Sequence, residues 1–173
     1  MIIVCPLNKV AQLVEDHGAR HVASLLGGHG EMPDFSHLED VRHLKLGFND
    51  ISTPREGYVL PGHEHVDALL QFIHDWDRTT PMVIHCWAGI SRSTAGAYIA
   101  KCFLEPERNE LELARELRSA SPSATPNMRM VALADEILER EGRMEAAIAS
   151  IGRGAEAWEG NVFTLSAVGQ SGD

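Results

Sequence analysis

Short apolar runs and longer amphipathic stretches alternate along the first half of the chain, and a helical second half follows. The short runs predict buried strands at residues 2–5, 21–26, 41–46 and 83–86. The amphipathic stretches predict a helix that follows Pro6 and ends at Gly18, and further helices at residues 63–78, 95–104, 107–119 and 127–141. Glycine and proline clusters predict loops at residues 27–30, 121–126 and 152–160. This order indicates an α/β protein with a small, mainly parallel sheet flanked by helices.

The pattern weakens towards the end of the sequence. Residues 162–165 are compatible with a short edge strand or a docked tail, and residues 166–173 with a frayed end. The chain has 173 residues, of which 44% are hydrophobic, and this is enough for one domain with a proper core. We therefore predict a single domain at residues 1–152 and a C-terminal tail, partly docked or disordered, at residues 153–173.

The composition limits the partners of the protein. Its formal net charge is −10, which disfavours nucleic acid and membrane surfaces as partners, although a local positive site is compatible with an acidic chain. Its three cysteines do not make a disulfide framework. The sequence shows neither a signal peptide nor a long apolar run, so the expected location is cytoplasmic.

The candidate chemistry lies in residues 83–94. A β-prone run ends at Cys86, a short loop with Gly89 follows, and Arg92 and Ser93 open a helix-like segment. A strand, a tight loop and a helix N-terminus aim backbone N–H groups and the positive end of the helix dipole at one point, which suits a phosphate dianion. The same field favours a thiolate, so Cys86 is the predicted nucleophile. The planar fork of Arg92 can grip two phosphate oxygens, and the Ser93 hydroxyl can donate to the sulfur and make it a better leaving group.

The segment from His85 to Ser93 resembles the signature loop of the cysteine-dependent protein tyrosine phosphatases, and its full His-Cys-x-Ala-Gly-x-Ser-Arg-Ser form resembles their dual-specificity branch. The resemblance implies a phosphatase-like catalytic domain of the compact bacterial type that hydrolyses phosphomonoesters through a cysteinyl-phosphate intermediate. The phosphate-binding loop would consist of His85, Trp87, Ala88, Gly89, Ile90, Ser91 and Arg92. His85 would order this loop and would not transfer a proton. No metal and no cofactor are implied.

A phosphatase of this kind also needs a proton donor, because an aryloxide or alkoxide leaving group has to be protonated. Asp50 is the predicted general acid, which would later take a proton from the attacking water. It follows the third predicted strand on a loop that could close over the site, and its spacing before Cys86 is similar to the dual-specificity pattern. The alternative is that Asp50 only caps the turn with Asn49. Asp34 and Asp40, on the preceding loop, are the other candidates.

The loop also indicates the kind of substrate. The sequence has no aromatic motif for a deep phosphotyrosine pocket, so a strict phosphotyrosine preference is not implied. The loop contains no lysine, whereas phosphoinositide phosphatases of this superfamily carry basic residues there, and this disfavours a lipid substrate. Trp87 could stack on an aromatic leaving group or, alternatively, pack in the core beneath the loop. The expected partner is a phosphorylated protein or peptide, with phosphotyrosine and also phosphoserine or phosphothreonine as targets.

Two other functions are compatible with the same loop. One is a pseudophosphatase that binds phosphate or phosphorylated peptides without turnover. The other is a sulfur-transfer or arsenate-reducing enzyme, in which Cys5 would be the candidate resolving thiol. Without such a role, Cys5 and Cys102 are expected to be inert core thiols.

Two further features are assigned no part in catalysis. Arg118, Pro126 and Asn127 resemble a mainly structural segment of dual-specificity phosphatases, and Asn127 is expected to be a helix N-cap. His63 and His65 suggest a metal site, but side chains two residues apart on a helix point in different directions, so metal binding is not predicted.

Overall fold

The computed structural model of the chain describes residues 1–27 and 32–167. Four strands are interspersed with two helices in the first half of these residues, and helices dominate the second half. The strands are β1 (Ile2–Pro6), β2 (His21–Leu26), β3 (Arg42–Gly47), β4 (Met82–Cys86) and β5 (Phe163–Leu165). The helices are α1 (Leu7–His17), α2 (His63–His74), α3 (Arg92–Leu104), α4 (Glu110–Ala120), α5 (Met128–Ile137) and α6 (Arg143–Ile151).

The strands form one sheet in the order β3-β2-β4-β1-β5. The first four strands of the chain pair in parallel, with Pro6 of β1 opposite Cys86 of β4. The last strand, β5, pairs antiparallel with β1 and so forms the predicted edge strand at the end of the sequence. The predicted small, mainly parallel sheet is confirmed, and the carboxyl end of its central strand, β4, is the kind of place where open α/β sheets hold ligands.

Helices cover both faces of this sheet. On one face, Val10 of α1 packs in a cluster with Ile3 and Val83. On the opposite face, Val4 and Ile84 belong to the larger core, to which the other five helices contribute. Neighbouring residues of β1 and β4 therefore serve opposite faces, as expected for parallel strands buried on both sides.

The helix α3 runs through the larger core. Every residue from Arg92 to Cys102 is buried, which is the pattern of a helix surrounded by other elements. Its first turn is tied to the preceding loop, because the Thr94 hydroxyl donates to the carbonyls of Ile90 and Ser91. This bonding explains why α3 begins at Arg92, earlier than the predicted residue 95. The loop after β4 is thus fixed between a buried strand and a buried helix.

Other helix ends also differ from the prediction. The helix α2 ends at His74 and not at residue 78, and Arg78 has a φ of 64°, in the left-handed region that does not continue an α-helix. The helix α5 ends at Ile137 and not at residue 141, and α6 was not predicted. The Asp135 carboxylate starts α6 by accepting hydrogen bonds at 2.6 Å from the backbone N–H groups of Gly142 and Met144. The capping residue belongs to the preceding helix, so the sequence next to the start of α6 gives little indication of it.

Two predicted features fall mostly beyond the residues that the structure describes: the loop at residues 27–30 and the frayed end at residues 166–173. Among the helices of residues 1–27 and 32–167, none combines the length and the apolar character that crossing a membrane requires.

Candidate active site

The loop between β4 and α3 is shaped by close contact with the start of the chain. Gly89 has a φ of 71°, and a Cβ added there would lie 2.8 Å from the backbone nitrogen of Pro6. Only glycine therefore fits this bend without displacing backbone. The Leu7 N–H donates to the Trp87 carbonyl at 3.1 Å, so the junction of β1 and α1 supports the loop from one side.

Cys86 and Ser93 meet at the base of this loop. The Cys86 Sγ lies 3.1 Å from the Ser93 Oγ, within hydrogen-bonding distance for sulfur, and both side chains are buried. Ser91 is the N-cap residue of α3, but its side chain makes no cap hydrogen bond to the helix. The first N–H groups of α3 are therefore left without a side-chain cap, which is the arrangement that binds anions at helix N-termini.

Arg92 is held beside the loop with part of its guanidinium unused. Its Nη1 donates to the Phe48 carbonyl at 3.0 Å, and this bond fixes the side chain against the segment that follows β3. Its Nε is buried and has no hydrogen-bond partner among the described residues. Since buried polar groups in native structures are nearly always paired, an unpaired N–H here indicates a place for a ligand oxygen.

Asp50 lies next to the loop, as the prediction of a general acid requires. Its Oδ1 accepts hydrogen bonds from the Ser91 Oγ at 2.7 Å and from the Asn127 Nδ2 at 2.8 Å, and its side chain is exposed. The two other candidate acids are engaged elsewhere. Hydrogen bonds from Ser36 lower the pKa of Asp34, and Asp40 pairs with Arg20 at 3.5 Å before the amino end of β3.

Asn127 has a contact that the sequence interpretation missed. Its Oδ1 accepts from the Met130 N–H at 3.1 Å, which is the predicted N-cap of α5. Its Nδ2 also donates to Asp50, so one amide joins the helix cap to the candidate acid. Pro126 and Asn127 form a recognisable motif in the sequence, but nothing in it shows which carboxylate the amide would meet.

His85 begins a buried hydrogen-bonded chain. Its Nε2 lies 2.5 Å from the Ser24 Oγ, which in turn lies 2.7 Å from the Nε2 of His43. Burial lowers the pKa of His85 to about 4, against a smaller opposing effect of the Cys86 backbone, and burial likewise lowers the pKa of His43 to about 4. Both rings are neutral at physiological pH. This is compatible with the expectation that His85 orders the loop and does not transfer a proton.

Trp87 and the two other cysteines are placed in contrasting ways. Trp87 is 63% exposed, so the alternative of a core tryptophan beneath the loop is wrong. Cys5 belongs to the cluster on the α1 face of the sheet, whereas Cys86 belongs to the cluster on the opposite face. Burial raises the pKa of both Cys5 and Cys102 to about 12, which keeps these thiols protonated and argues against Cys5 as a resolving thiol.

A segment after α6 crosses the loop, and we call residues 152–160 the strap. The Gly160 N–H donates to the Ala88 carbonyl at 2.8 Å. At its other end, Arg118 donates to the carbonyls of Gly152 at 2.7 Å and Ala124 at 2.9 Å. The strap was predicted as a loop, but the sequence gives no sign that it touches the site.

A cavity of about 600 Å³ opens beside the loop. Its lining includes Asp50 and Ser91, together with Arg153 and Glu156 of the strap. Within the described ranges, no three or more His, Cys, Asp or Glu side chains are grouped so that they could hold a metal ion. His63 lies 3.2 Å from Glu136, and His65 accepts a hydrogen bond from the Gly62 N–H.

Comparison with known proteins defines the class of this fold. No protein-family model and no curated protein sequence matches the chain. Among solved structures, DUSP15 is similar with a TM-score of 0.62 over 86% of this chain and 90% of that chain, at 18% identity. PTPMT1 in complex with PI(5)P gives a TM-score of 0.62 over 87% and 94% at 14% identity. The human tyrosine phosphatase-like serine/threonine/tyrosine-interacting protein gives 0.58 over 81% and 92% at 18% identity.

The chain therefore has the fold of the dual-specificity phosphatases within the protein tyrosine phosphatase superfamily, as the signature loop implied. The low identities limit this finding to the fold.

Proposed function

We propose that the protein is a phosphomonoester hydrolase, a protein-tyrosine or dual-specificity phosphatase that acts through a cysteinyl-phosphate intermediate. The observation that carries the proposal is the buried Nε of Arg92, which has no hydrogen-bond partner among the described residues, at the uncapped N-terminus of the helix α3 that follows the Cys86 loop. A phosphate group held there would meet a cationic fork, backbone N–H groups and a nucleophile at once.

In the first step, the Cys86 thiolate attacks phosphorus and the bond from phosphorus to the leaving oxygen breaks. Asp50 donates its proton to that oxygen, and Arg92 holds the equatorial oxygens as charge spreads over them. The hydrogen bond from Ser91 holds the Asp50 carboxyl at the edge of the loop, where a leaving group would emerge.

In the second step, water attacks the phosphocysteine and gives a proton to Asp50. The phosphorus–sulfur bond breaks, inorganic phosphate forms, and the thiolate is restored. The Ser93 hydroxyl, 3.1 Å from the sulfur, can donate to the departing thiolate and lower the barrier to its expulsion. The two steps together consume one water molecule and need no redox partner.

The expected substrate is a phosphorylated protein or peptide. Trp87 is exposed on the loop and is available to stack on an aromatic leaving group. The loop residues from Trp87 to Ser91 carry no basic side chain, so nothing in that stretch would meet the additional phosphates of a phosphoinositide headgroup.

The test is hydrolysis of p-nitrophenyl phosphate and of phosphotyrosine peptides over a range of pH in EDTA. We expect turnover that Cys86→Ser abolishes and that loses its basic limb in Asp50→Ala. Arg92→Lys keeps the charge but not the fork, and it should weaken both turnover and vanadate binding. Binding of phosphopeptide or vanadate without any wild-type turnover would instead establish a pseudophosphatase. Full activity in Cys86→Ser would refute the mechanism.

A further inference from the structure

A second cavity extends the one beside the phosphate loop. It has a volume of about 410 Å³ and is lined by apolar side chains of Met128, Ile148 and Ala149. The two cavities share Thr125, Pro126, Met128 and Arg153 among their lining residues, so they adjoin each other, and we call the two together the groove. We call the end at Met128, Ile148 and Ala149 the apolar pocket.

The groove changes character along its length. Near the loop it is lined by Asp50 and Ser91, whose oxygens bond to each other and keep lone pairs that can accept the N–H groups of a peptide backbone. Beyond Met128 the apolar pocket offers hydrocarbon, which suits one aliphatic or aromatic side chain.

We propose that this groove binds the peptide segment on one side of the phosphorylated residue and that the apolar pocket takes an apolar side chain from that segment. The proposal deepens the proposed function and rests on it, since the position of the peptide in the groove assumes that its phosphate group is bound in the loop. It makes the strap, through Arg153, and the helix α6, through Ile148 and Ala149, determinants of specificity.

The charges along the groove favour a peptide over a phosphorylated lipid. Under the proposed function Asp50 is protonated when substrate binds, so at the polar end the negative charge of Glu156 is balanced by the positive charge of Arg153. These lining residues therefore offer a polyanionic headgroup no excess of positive charge, whereas a neutral peptide segment needs none. Continuity with the phosphate loop places such a segment directly next to the phosphorylated residue.

The experiment is a binding scan with the Cys86→Ser protein, which does not depend on turnover. Fluorescent phosphotyrosine peptides in a glycine and serine background carry one leucine at each position from about −4 to +4, the span over which an extended chain reaches neighbouring pockets. We expect leucine at one position, on one side only, to tighten binding by about fivefold to tenfold, since a buried leucine side chain adds at least that much.

Ala149 is exposed on α6, so variants there should fold. Ala149→Trp fills the apolar pocket and should remove the gain from leucine. Ala149→Glu should remove it too and should favour lysine at the same peptide position. The matched control is Ala146→Trp, an exposed position of the same helix that does not line the pocket, and it should keep the leucine gain. The control Ala146→Trp, made with Cys86 intact, should hydrolyse p-nitrophenyl phosphate like wild type.

A flat leucine scan, a leucine gain that survives in Ala149→Trp, or no phosphopeptide binding would overturn the proposal. So would a short-chain phosphoinositide that binds more tightly than every peptide and loses affinity in Ala149→Trp. If wild type hydrolyses no phosphomonoester but the scan shows the expected position, the proposed catalysis fails and the groove assignment stands. If turnover is normal and the scan is flat, only the groove assignment fails.

Discussion

Replacing Asn127 tests whether its contact with Asp50 matters for catalysis. The Asn127 amide makes two separable hydrogen bonds, because its Oδ1 caps α5 at Met130 and its Nδ2 holds Asp50. Asn127→Ala removes both bonds. Asn127→Ser keeps a good N-cap oxygen but has no amide to reach Asp50, so the pair separates stability from proton donation.

The magnitudes follow from the two contacts. Loss of the N-cap in Asn127→Ala should cost about 1 kcal/mol, which lowers the melting temperature by about 2–4 °C in a protein of this size. Asn127→Ser should stay within about 0.5 kcal/mol of wild type. The 2.8 Å bond to Asp50 involves an exposed carboxyl group, so it adds little to folding stability. Where Asp50 must protonate the leaving group, its loss should instead raise the barrier by about 1.4 kcal/mol, which is about tenfold in rate.

The assay compares an alkyl phosphate with p-nitrophenyl phosphate. An alkoxide needs a proton to leave, whereas p-nitrophenolate leaves readily without one. We therefore expect both Asn127 variants to lose about tenfold in kcat/KM on the alkyl phosphate and much less on the aryl phosphate. Equal losses on both substrates, or wild-type rates in Asn127→Ser, would refute the idea that this amide positions the acid.

Three other predictions concern the loop and its supports. Gly89→Ala should lower the free energy of unfolding in urea by about 1–3 kcal/mol and should also lose vanadate binding. The loop has to move in this variant, because Gly89 has a φ of 71° and an added Cβ would lie 2.8 Å from the backbone nitrogen of Pro6. Unchanged vanadate affinity would contradict this. The lowered pKa of His85 means that, as the pH falls from about 6.5 to 4, the unfolded chain takes up a proton that the folded chain does not. The free energy of unfolding therefore decreases as the pH falls, and between pH 7 and pH 5 wild type should lose about 2 kcal/mol more than His85→Gln. Equal losses in the two proteins would contradict this. A chain truncated after Gly152 should be at least about 3 kcal/mol less stable than one truncated after Ala167, because it lacks the buried Phe163 and Leu165. It should also lose phosphatase activity, because it lacks the hydrogen bond from Gly160 to Ala88. Equal activity of the two truncated chains would contradict this.

The sequence could predict the parts of the molecule that depend on local pattern. The apolar runs at residues 2–5, 21–26 and 83–86 form strands with almost the predicted bounds, because strands that are buried on both faces have mainly apolar sequences. The signature from His85 to Ser93 likewise predicted a loop between a strand and a helix, because its residue types meet local requirements of the backbone.

The parts that could not be predicted depend on contacts between distant segments. The cap of α6 comes from Asp135, and the support of the loop comes from Gly160, neither of which shows in the pattern around its partner. The amide of Asn127 was assigned to the helix end that it caps, and its second bond depends on where the loop after β3 folds back. Apolar periodicity reports which face of an element is buried, but not which remote polar group completes a site.

The order in which the site is assembled follows from the strap and β5. Cys86 and Arg92 lie in the middle of the chain, whereas Gly160, which bonds the loop, and β5, which pairs with β1, lie near the end of the described residues. The proposed nucleophile therefore leaves the ribosome well before the segment that supports its loop. Because chains are made from the N-terminus, we expect a nascent chain to remain inactive until residues 160–165 have emerged and docked. Competence would thus arise only after this segment has docked, which separates synthesis of the proposed nucleophile from its first encounter with substrate.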